Sequence, residues 1–489
     1  MRSQIGSLWG VGWAAAISLF LGVTNAEGAD PPARPNVVLI LADDLGWSDL
    51  GCYGADLHET PHLDRLARQG LRFTQSYTMS VCSPTRASLM TGKHAARLHM
   101  TIWREKAVEL QRQTAPPSQR LLQPAPATNL PMGETTLAEL FRNQGYLTFH
   151  VGKWHLADAS GYPEVHGFDV NIGGTHWGAP STYFHPFKGA RQFGGEYRYV
   201  PGLGVGKSGQ ELTERLTDEA LRLIDEAGER PFFLNLWHHA PHTPIEARPE
   251  RVEHFRGKIR SGMKHQNAAY AAMVATLDHE VGRVLDHLDA RGLARNTIVI
   301  FMSDNGGYLG AFDRQVVTNN APLRSGKGSL YEGGIRVPTI VRWTGVTPAG
   351  AVCDRPIHCT DLWPTLAEIV RPSRDEGESD GVSLLPLWKK PESRLARENL
   401  FFHYPHDYAT TTPVSAIRSG DWKLLEYYDD GRTELYNLAS DPGESRNVAS
   451  DQPAVARRLR TTLHDWRREV DAQVPTINPA YQTPSPTGK

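Results

Sequence analysis

The chain has 489 residues, 40% hydrophobic and 22% charged, which is enough for a globular protein with more than one domain. A formal charge of −2 gives no global basic field and excludes a general nucleic-acid binder, while leaving room for a locally basic pocket. With only four cysteines, Cys52, Cys82, Cys353 and Cys359, a disulfide framework is excluded and stability must come from an apolar core.

At the N-terminus, Arg2 precedes the apolar run WAAAISLFLGV and small residues at Asn25-Ala26 and Gly28-Ala29. That order predicts a secretory signal over residues 1–29. A signal anchor is the alternative, disfavoured because the run is shorter than the roughly 20 residues a spanning helix needs. The expected protein is exported, periplasmic or secreted (a lysosome-like compartment in a eukaryote), with no stable membrane span.

Beyond it, NVVLILADD (36–44) is a continuous apolar run ending in carboxylates, the pattern of a strand buried on both faces. TPHLDRLARQG follows as a helix with Thr60 as N-cap, Pro61 at its first position and Gly70 as its stop. In SVCSPTRASLMTG, Pro84 suits a first helical turn and Gly92 a C-terminal cap, which puts Cys82 at a helix N-terminus. A helix over TTLAELFRNQGY feeds the strand LTFHVGKWH, and a helix over residues 212–227 precedes the strand PFFLNLWHHAPH. Tyr270, Met273, Val274, Leu277, Val281, Val284, Leu285 and Leu288 recur at helical spacing ahead of NTIVIFMSDNGG.

This alternation predicts an α/β protein. A large domain over residues 30–390 carries a mostly parallel or mixed sheet sandwiched by helices. Past Pro391, strands joined by turns such as Asp430-Gly431 and a closing helix near 455–470 predict a small antiparallel α+β subdomain over 391–475. Residues 476–489 are expected as a flexible tail. Two irregular stretches interrupt the order, a Pro/Gln-rich one (113–131) and one rich in Gly and aromatics (172–209).

Four apolar strands end in polar groups: Asp43-Asp44, Lys153 with His155, His239 with His242, and Asp304-Asn305. In open α/β sheets ligands bind beyond the strands' carboxyl ends, so these groups should converge on one mouth. Asp43, Asp44, Asp304 and Asn305 form an all-oxygen set suited to Ca²⁺ or Mg²⁺ and not to zinc. Lys153, His155, His242 and Lys327 would surround it with cations, which makes a site for an oxyanion such as phosphate or sulfate.

The stretch CSPTRASLMTG resembles the signature of type I sulfatases, the C-x-P-x-R element whose cysteine is oxidised to Cα-formylglycine by a maturating enzyme. Cys82, Pro84 and Arg86 carry the match, continued by Leu89, Thr91 and Gly92. NVVLILADDLGWSDLGCYG, GKWHL, APHTP, SDNGG and LRSGKGSLYEGGIRVP stand in the family's order, nearest to the arylsulfatase A and N-acetylgalactosamine-6-sulfatase-like branch. The resemblance implies one Ca²⁺ (Mg²⁺ possible) held by Asp43, Asp44, Asp304, Asn305 and the modified Cys82. It implies that Arg86 and Lys153 hold the formylglycine diol, with His155 as its base. His242 and Lys327 would bind the sulfate and assist the leaving alcohol, with His239 close enough to compete.

The resemblance also implies a formylglycine-generating or sulfatase-maturating enzyme as partner. Phosphatases and phosphodiesterases of the wider alkaline phosphatase superfamily usually carry Ser or Thr as nucleophile and two metals, and a non-catalytic glycan binder would not need Cys82. With Cys82 consumed, a Cys353–Cys359 bridge is expected against the alternative of two thiols on neighbouring strands, leaving Cys52 reduced and buried. For the substrate, Trp177, Tyr183, Phe184, Phe187, Phe193, Tyr197 and Tyr199, with Lys188 and Arg191, suit either a sulfated-carbohydrate pocket or a self-packed aromatic loop. His403 and His406 are expected either at a sugar or as solvated loop residues. The family's deep pocket implies chain-end action, and the resemblance to N-acetylgalactosamine-6-sulfatase-like proteins implies galactose or N-acetylgalactosamine.

Overall fold

The computed structural model describes residues 34–112, 115–188, 197–370 and 379–482. Its main sheet is built from β1 (Asn36–Ala42), β2 (Leu71–Tyr77), β3 (Leu147–Gly152), β4 (Val170–Ile172), β5 (Phe232–Trp237), β6 (Thr297–Ser303), β7 (Arg336–Trp343), β8 (Ala351–Cys353) and β9 (Ile357–His358). The order is β8-β2-β7-β6-β1-β5-β3-β4, with β9 also on β2. All neighbours run parallel except β7, which is antiparallel to both β2 and β6.

The unbroken apolar run of β1 follows from its position in the middle of this sheet. Val37, Leu39 and Leu41 face one core cluster while Val38, Ile40 and Ala42 face another, so no residue of the strand meets water. The first cluster is closed by α2 (Cys82–Thr91), α4 (Leu137–Asn143) and α7 (Leu362–Val370). The second is closed by α1 (Pro61–Gln69), α5 (Leu212–Ala227) and α6 (Ala268–Ala290). A short helix, α3 (Arg104–Leu110), lies between α2 and α4.

The predicted helices stand close to where their signals placed them, with one difference in capping. Pro61 opens α1, but Thr60 makes no cap with its side chain; its hydroxyl accepts from Gly51 N–H at 2.8 Å instead. The free N–H groups of His62 and Leu63 are met by the Asp278 carboxylate of α6, at 3.2 and 2.7 Å. A tertiary cap has replaced the local one.

The C-terminal sheet comprises β10 (Asn399–Tyr404), β11 (Val414–Ser419), β12 (Trp422–Tyr427) and β13 (Thr433–Asn437), antiparallel in sequence order. Gly431, at φ 73°, lies in the predicted turn between the last two strands. Ile417, Leu424 and Leu435 pack on Leu459, Leu463 and Trp466 of α8 (Pro453–Glu469). The opposite face, through Phe402, Ala416 and Leu425, joins a core with Tyr77, Val81 and Ile335 of the larger domain.

Two expectations are corrected here. Cys353 and Cys359 are not bridged. β8 pairs Cys353 with Phe73 while β9 pairs His358 with Tyr77, four residues further along β2. At about 3.3 Å per residue that is about 13 Å, against about 4.4–6.8 Å between the Cα atoms of a disulfide. Cys52 is a free thiol, half-buried against the second core cluster. Residues 476–482, read from the sequence as tail, lie against the Pro/Gln-rich stretch: Thr476–Ile477 pairs with Leu121–Leu122, and Asn478 Nδ2 donates to the carbonyls of Pro116 and Gln119. Residues 1–33 and 483–489 lie outside the described residues.

Asn267 caps α6, its side-chain oxygen accepting from Ala269 and Tyr270 N–H at 3.1 Å each. Asn267→Ala is expected to destabilise the fold by about 1 kcal/mol, read as a lower urea midpoint at unchanged m-value.

Candidate active site

β6, β1, β5 and β3 are neighbours in the sheet and all parallel, so their carboxyl ends open side by side. The four polar strand ends therefore meet in one place. Two of the residues take backbone conformations that cost about 1–2 kcal/mol each in a side chain other than glycine: Asp44 at φ 63° and His155 at φ 60°. Ahead of Lys153, Gly152 turns the chain at φ 107°, where a Cβ would lie 2.0 Å from the Trp237 carbonyl. Only glycine lets β3 end so close to β5.

Charge is buried here. Asp43, Asp44 and Asp304 are at most 2% exposed. Lys153 Nζ donates to Asp43 Oδ2 at 2.6 Å, and Arg86 donates to Asp304 Oδ2 from Nε and Nη2 at 3.1 and 2.8 Å. Lys327 Nζ donates to Asp44 Oδ2 at 2.9 Å and stands 2.7 Å from its Oδ1, which also accepts from Asn305 Nδ2 at 2.8 Å. Arg86 further donates to the Lys153 carbonyl at 3.0 Å and lies over the Trp237 ring. Arg86 and Lys153 thus brace the carboxylates.

Burial by itself raises the pKa of Asp44 and of Asp304, and the neighbours decide the outcome. For Asp44 the charges of Lys327 and His242 overcome burial and hold it well below the usual range. For Asp304, burial and the charge of Asp43 prevail and push it up to about 6. Burial and the charges of Lys327 and Lys153 push His242 down to about 3 despite Asp44, so its ring is neutral at pH 7.

The donor set suits a hard divalent ion. Asp43 Oδ1 and Asn305 Oδ1 are buried and have no hydrogen-bond partner, an arrangement a cation would satisfy. Ligand atoms of Asp43, Cys82 and Asp304 lie within 4.8 Å of one another, as do those of Asp43, Asp44 and His242. A second group, Asp49, His58 and His265, is different in kind. His265 already contacts Asp56 at 2.7 Å and the Asn319 carbonyl at 3.0 Å through its two nitrogens, and Asp49 accepts from Gly46 N–H, Tyr270 and Thr318. It is a hydrogen-bonded brace under the loop that carries Asp43 and Asp44.

Cys82 is the first residue of α2, whose ten residues are all buried. Its Sγ lies 3.5 Å from His155 Nδ1. Burial opposes thiolate formation, but Lys153 and His155 outweigh it and lower the thiol's pKa. The group opens onto a cavity of about 330 Å³ whose floor also includes Asp44, His155, His242 and Lys327. His239 does not line it, so His242 is the histidine positioned to meet a ligand. Tyr183 fixes that turn by donating to the carbonyls of His239 and His242 at 2.8 and 2.9 Å.

Sequence reasoning missed the cavity's walls: Trp103, Glu105, Tyr308 and Tyr408. They come from three separate segments, Trp103 and Glu105 from the start of α3, Tyr308 from the chain after β6 and Tyr408 from the chain between β10 and β11, and share no periodicity or motif. The aromatic stretch contributes less than expected. Tyr183 and Phe187 are core residues and Tyr197 and Tyr199 are exposed, while Gly178, Ala179 and Arg198 reach the cavity. Arg191 and Phe193 lie outside the described residues. His403 and His406 are neither at the cavity nor solvated: both are buried, His403 on Ser415 and the Gln473 carbonyl, His406 on Thr101 and Gln123.

A buried oxygen cage, a polarised nucleophile at a helix N-terminus and cations lining a small cavity are the working parts of a hydrolase of oxyanion esters. A sulfatase family model matches residues 35–371, and a model of the N-sulphoglucosamine sulphohydrolase C-terminal region matches residues 326–469. The chain is 34% identical to N-acetylgalactosamine-6-sulfatase of Canis lupus familiaris, over 86% of this chain and 78% of that one. It is 32% identical to steryl-sulfatase of Mus musculus, over 85% and 74%. Ps i-CgsB, solved in complex with k-i-k-neocarrahexaose, superposes with a TM-score of 0.73 at 29% identity, over 90% of this chain and 94% of that one. The chain belongs to the sulfatase family and is an arylsulfatase-like hydrolase of sulfate esters.

Arg86 supports the cage at 0% exposure. Arg86→Ala leaves Asp43 and Asp304 short of a buried counter-charge and is expected to destabilise the metal-free protein by about 3–5 kcal/mol in urea unfolding.

Proposed function

We propose that the protein releases inorganic sulfate from the end of a sulfated carbohydrate of galactose or N-acetylgalactosamine type, using a formylglycine made from Cys82 and one Ca²⁺. The observation that carries this reading is Cys82 at the head of α2, inside the cavity, with His155 at 3.5 Å and Asp43 and Asp304 beside it. Asp43, Asp44, Asp304 and Asn305 would hold the ion, which supplies positive charge to lower the nucleophile's pKa and neutralise sulfate. A hydrated formylglycine at position 82 would supply an oxygen nucleophile for sulfur and a second hydroxyl through which sulfate could be released.

Charge balance favours the pairing of ion and sulfate. Asp43, Asp44 and Asp304 are already met by Lys153, Lys327 and Arg86, so a divalent cation leaves a positive excess that a sulfate ester, a monoanion, reduces and the released sulfate dianion cancels. In this reading Lys327 and His242 face the sulfate oxygens and His155 takes the proton of the remaining hydroxyl. His242 and Lys327 are the two groups on the cavity that would assist the leaving alcohol.

Support for a sugar comes from the cavity and from the relatives. About 330 Å³ accommodates a terminal sulfated ring, and Trp103, Tyr308 and Tyr408 offer aromatic faces to it. One relative is an N-acetylgalactosamine-6-sulfatase, and Ps i-CgsB binds k-i-k-neocarrahexaose. Export through residues 1–29, with a maturating enzyme acting on the Cys82 motif, belongs to the same proposal. No helix among the described residues is long and apolar enough to cross a membrane.

A panel of sulfated mono- and oligosaccharides tests the substrate. Sulfate is expected from chain-end galactose or N-acetylgalactosamine sulfates and only weakly from small aryl sulfates; release only from internal positions, or only from aryl or steroid sulfates, refutes the carbohydrate reading. For the cofactors, mass analysis of the tryptic peptide carrying Cys82 should show loss of the sulfur, and metal analysis one calcium per chain. Chelation should abolish activity and added Ca²⁺ restore it, while Asp304→Ala should lose both metal and turnover. Zinc, or two metals per active chain, refutes the Ca²⁺ assignment.

A further inference from the structure

The ring of His155 is held by a residue from outside the strand ends. Glu105, at the second position of α3, places Oε2 2.5 Å from His155 Nε2, while its Oε1 accepts from Gly178 N–H at 2.9 Å. A Cβ at Gly178 would lie 2.5 Å from His155 Cε1, 2.7 Å from Nε2 and 3.1 Å from Glu105 Oε1, so this close pair requires the glycine. The histidine backbone is tied on both sides: its N–H donates to the Thr175 carbonyl at 2.9 Å, and its carbonyl accepts from Ser83 Oγ at 2.8 Å. Ser83 adjoins Cys82, so nucleophile and ring are registered through one hydroxyl.

We propose that Glu105 is a positioning residue that fixes the orientation and tautomer of His155 toward the Cys82 side chain. An ionised carboxylate only accepts hydrogen bonds, so the proton shared with it must be on Nε2. In the neutral ring Nδ1 is then the acceptor, and Nδ1 is the atom turned to Cys82 at 3.5 Å. The result is a nucleophile, a base and an orienting carboxylate in line, the general arrangement for activating a side-chain nucleophile. The other ionisable groups that line the cavity with the ring are Cys82, Asp44, Arg198, His242, Tyr308, Lys327 and Tyr408. Among the described residues, Glu105 is the group that meets Nε2.

The inference rests on the sulfatase reading for the step in which His155 acts, but the tautomer does not. Glu105→Gln is the discriminating variant. The amide keeps an oxygen for Gly178 N–H and nearly the same volume, but turns an N–H toward His155 Nε2, which favours the opposite tautomer with the proton on Nδ1. In the converted enzyme, kcat is expected to fall on the order of 10²-fold or more with KM within about twofold. Melting should be unchanged, and Glu105→Asp should recover part of the rate.

A second measurement needs neither conversion nor metal. In protein produced without the maturating enzyme, Cys82 remains a thiol, and its alkylation by iodoacetamide should be about tenfold slower in Glu105→Gln than in the unsubstituted chain as the proton acceptor is lost. Equal alkylation rates, or a Glu105→Gln enzyme with undiminished kcat, overturn the proposal. If the unsubstituted enzyme releases no sulfate from any substrate, the sulfatase reading fails, and the alkylation comparison still decides the role of Glu105.

Discussion

Three carboxylates buried at one point are the constraint on which the rest of the structure depends. Asp43, Asp44 and Asp304 have given up hydration, and uncompensated charges in such surroundings cost several kcal/mol each. Each has instead a cation delivered from a different part of the chain: Lys153 from the end of β3, Arg86 from α2 and Lys327 from the connection before β7. Folding therefore has to bring six charged side chains to one mouth. The parallel arrangement of β6, β1, β5 and β3 does this, because it alone sets successive strand ends side by side.

The same constraint gives the C-terminal subdomain a part in the site. Thr410 donates to the Lys327 carbonyl at 2.8 Å, while Gly328 N–H donates to the Ser80 carbonyl at 2.8 Å, so the lysine's backbone is held between the subdomain and the approach to Cys82. Behind it Lys423, fully buried, lies 2.9 Å from Glu332 and 2.8 Å from Glu444. Arg324 donates to the Glu444 carbonyl at 2.8 Å. A loop that must keep an ammonium against Asp44 is thus anchored by a second buried charge network. Tyr408 reaches the cavity wall from the same subdomain.

What could be read from the sequence follows from these physical demands. Strands buried on both faces leave continuous apolar runs, and polar residues ending such runs stand out, which is why Asp43, Lys153, His242 and Asp304 were recognisable. The cysteine motif was legible because helix-start residues surround it. Glu105, Trp103, Tyr308 and Tyr408 were not, since each is an isolated residue whose meaning depends on contacts made across the fold. His403 was misread for a related reason: a polar residue on an edge strand looks exposed until the chain near Gln473 covers it. The Cys353–Cys359 pairing failed because closeness in sequence says nothing about two short strands docked four residues apart on β2.

This division between strand ends and loops explains why similarity carries the reaction further than the substrate. An N-acetylgalactosamine-6-sulfatase and a steryl-sulfatase, named for very different alcohols, are 34% and 32% identical to this chain. The difference is too small to choose between a sugar and a sterol. The groups that in the proposed reading face the sulfate sit on or beside rigid strand ends, whose geometry is fixed by the charge balance beneath them. Trp103, Tyr308 and Tyr408, which line the cavity and in the proposed reading would meet the alcohol, sit on connections that can change without disturbing that balance. On this reading selectivity would reside in the few wall residues, whose shape and chemistry, not overall identity, would decide which sulfate ester fits.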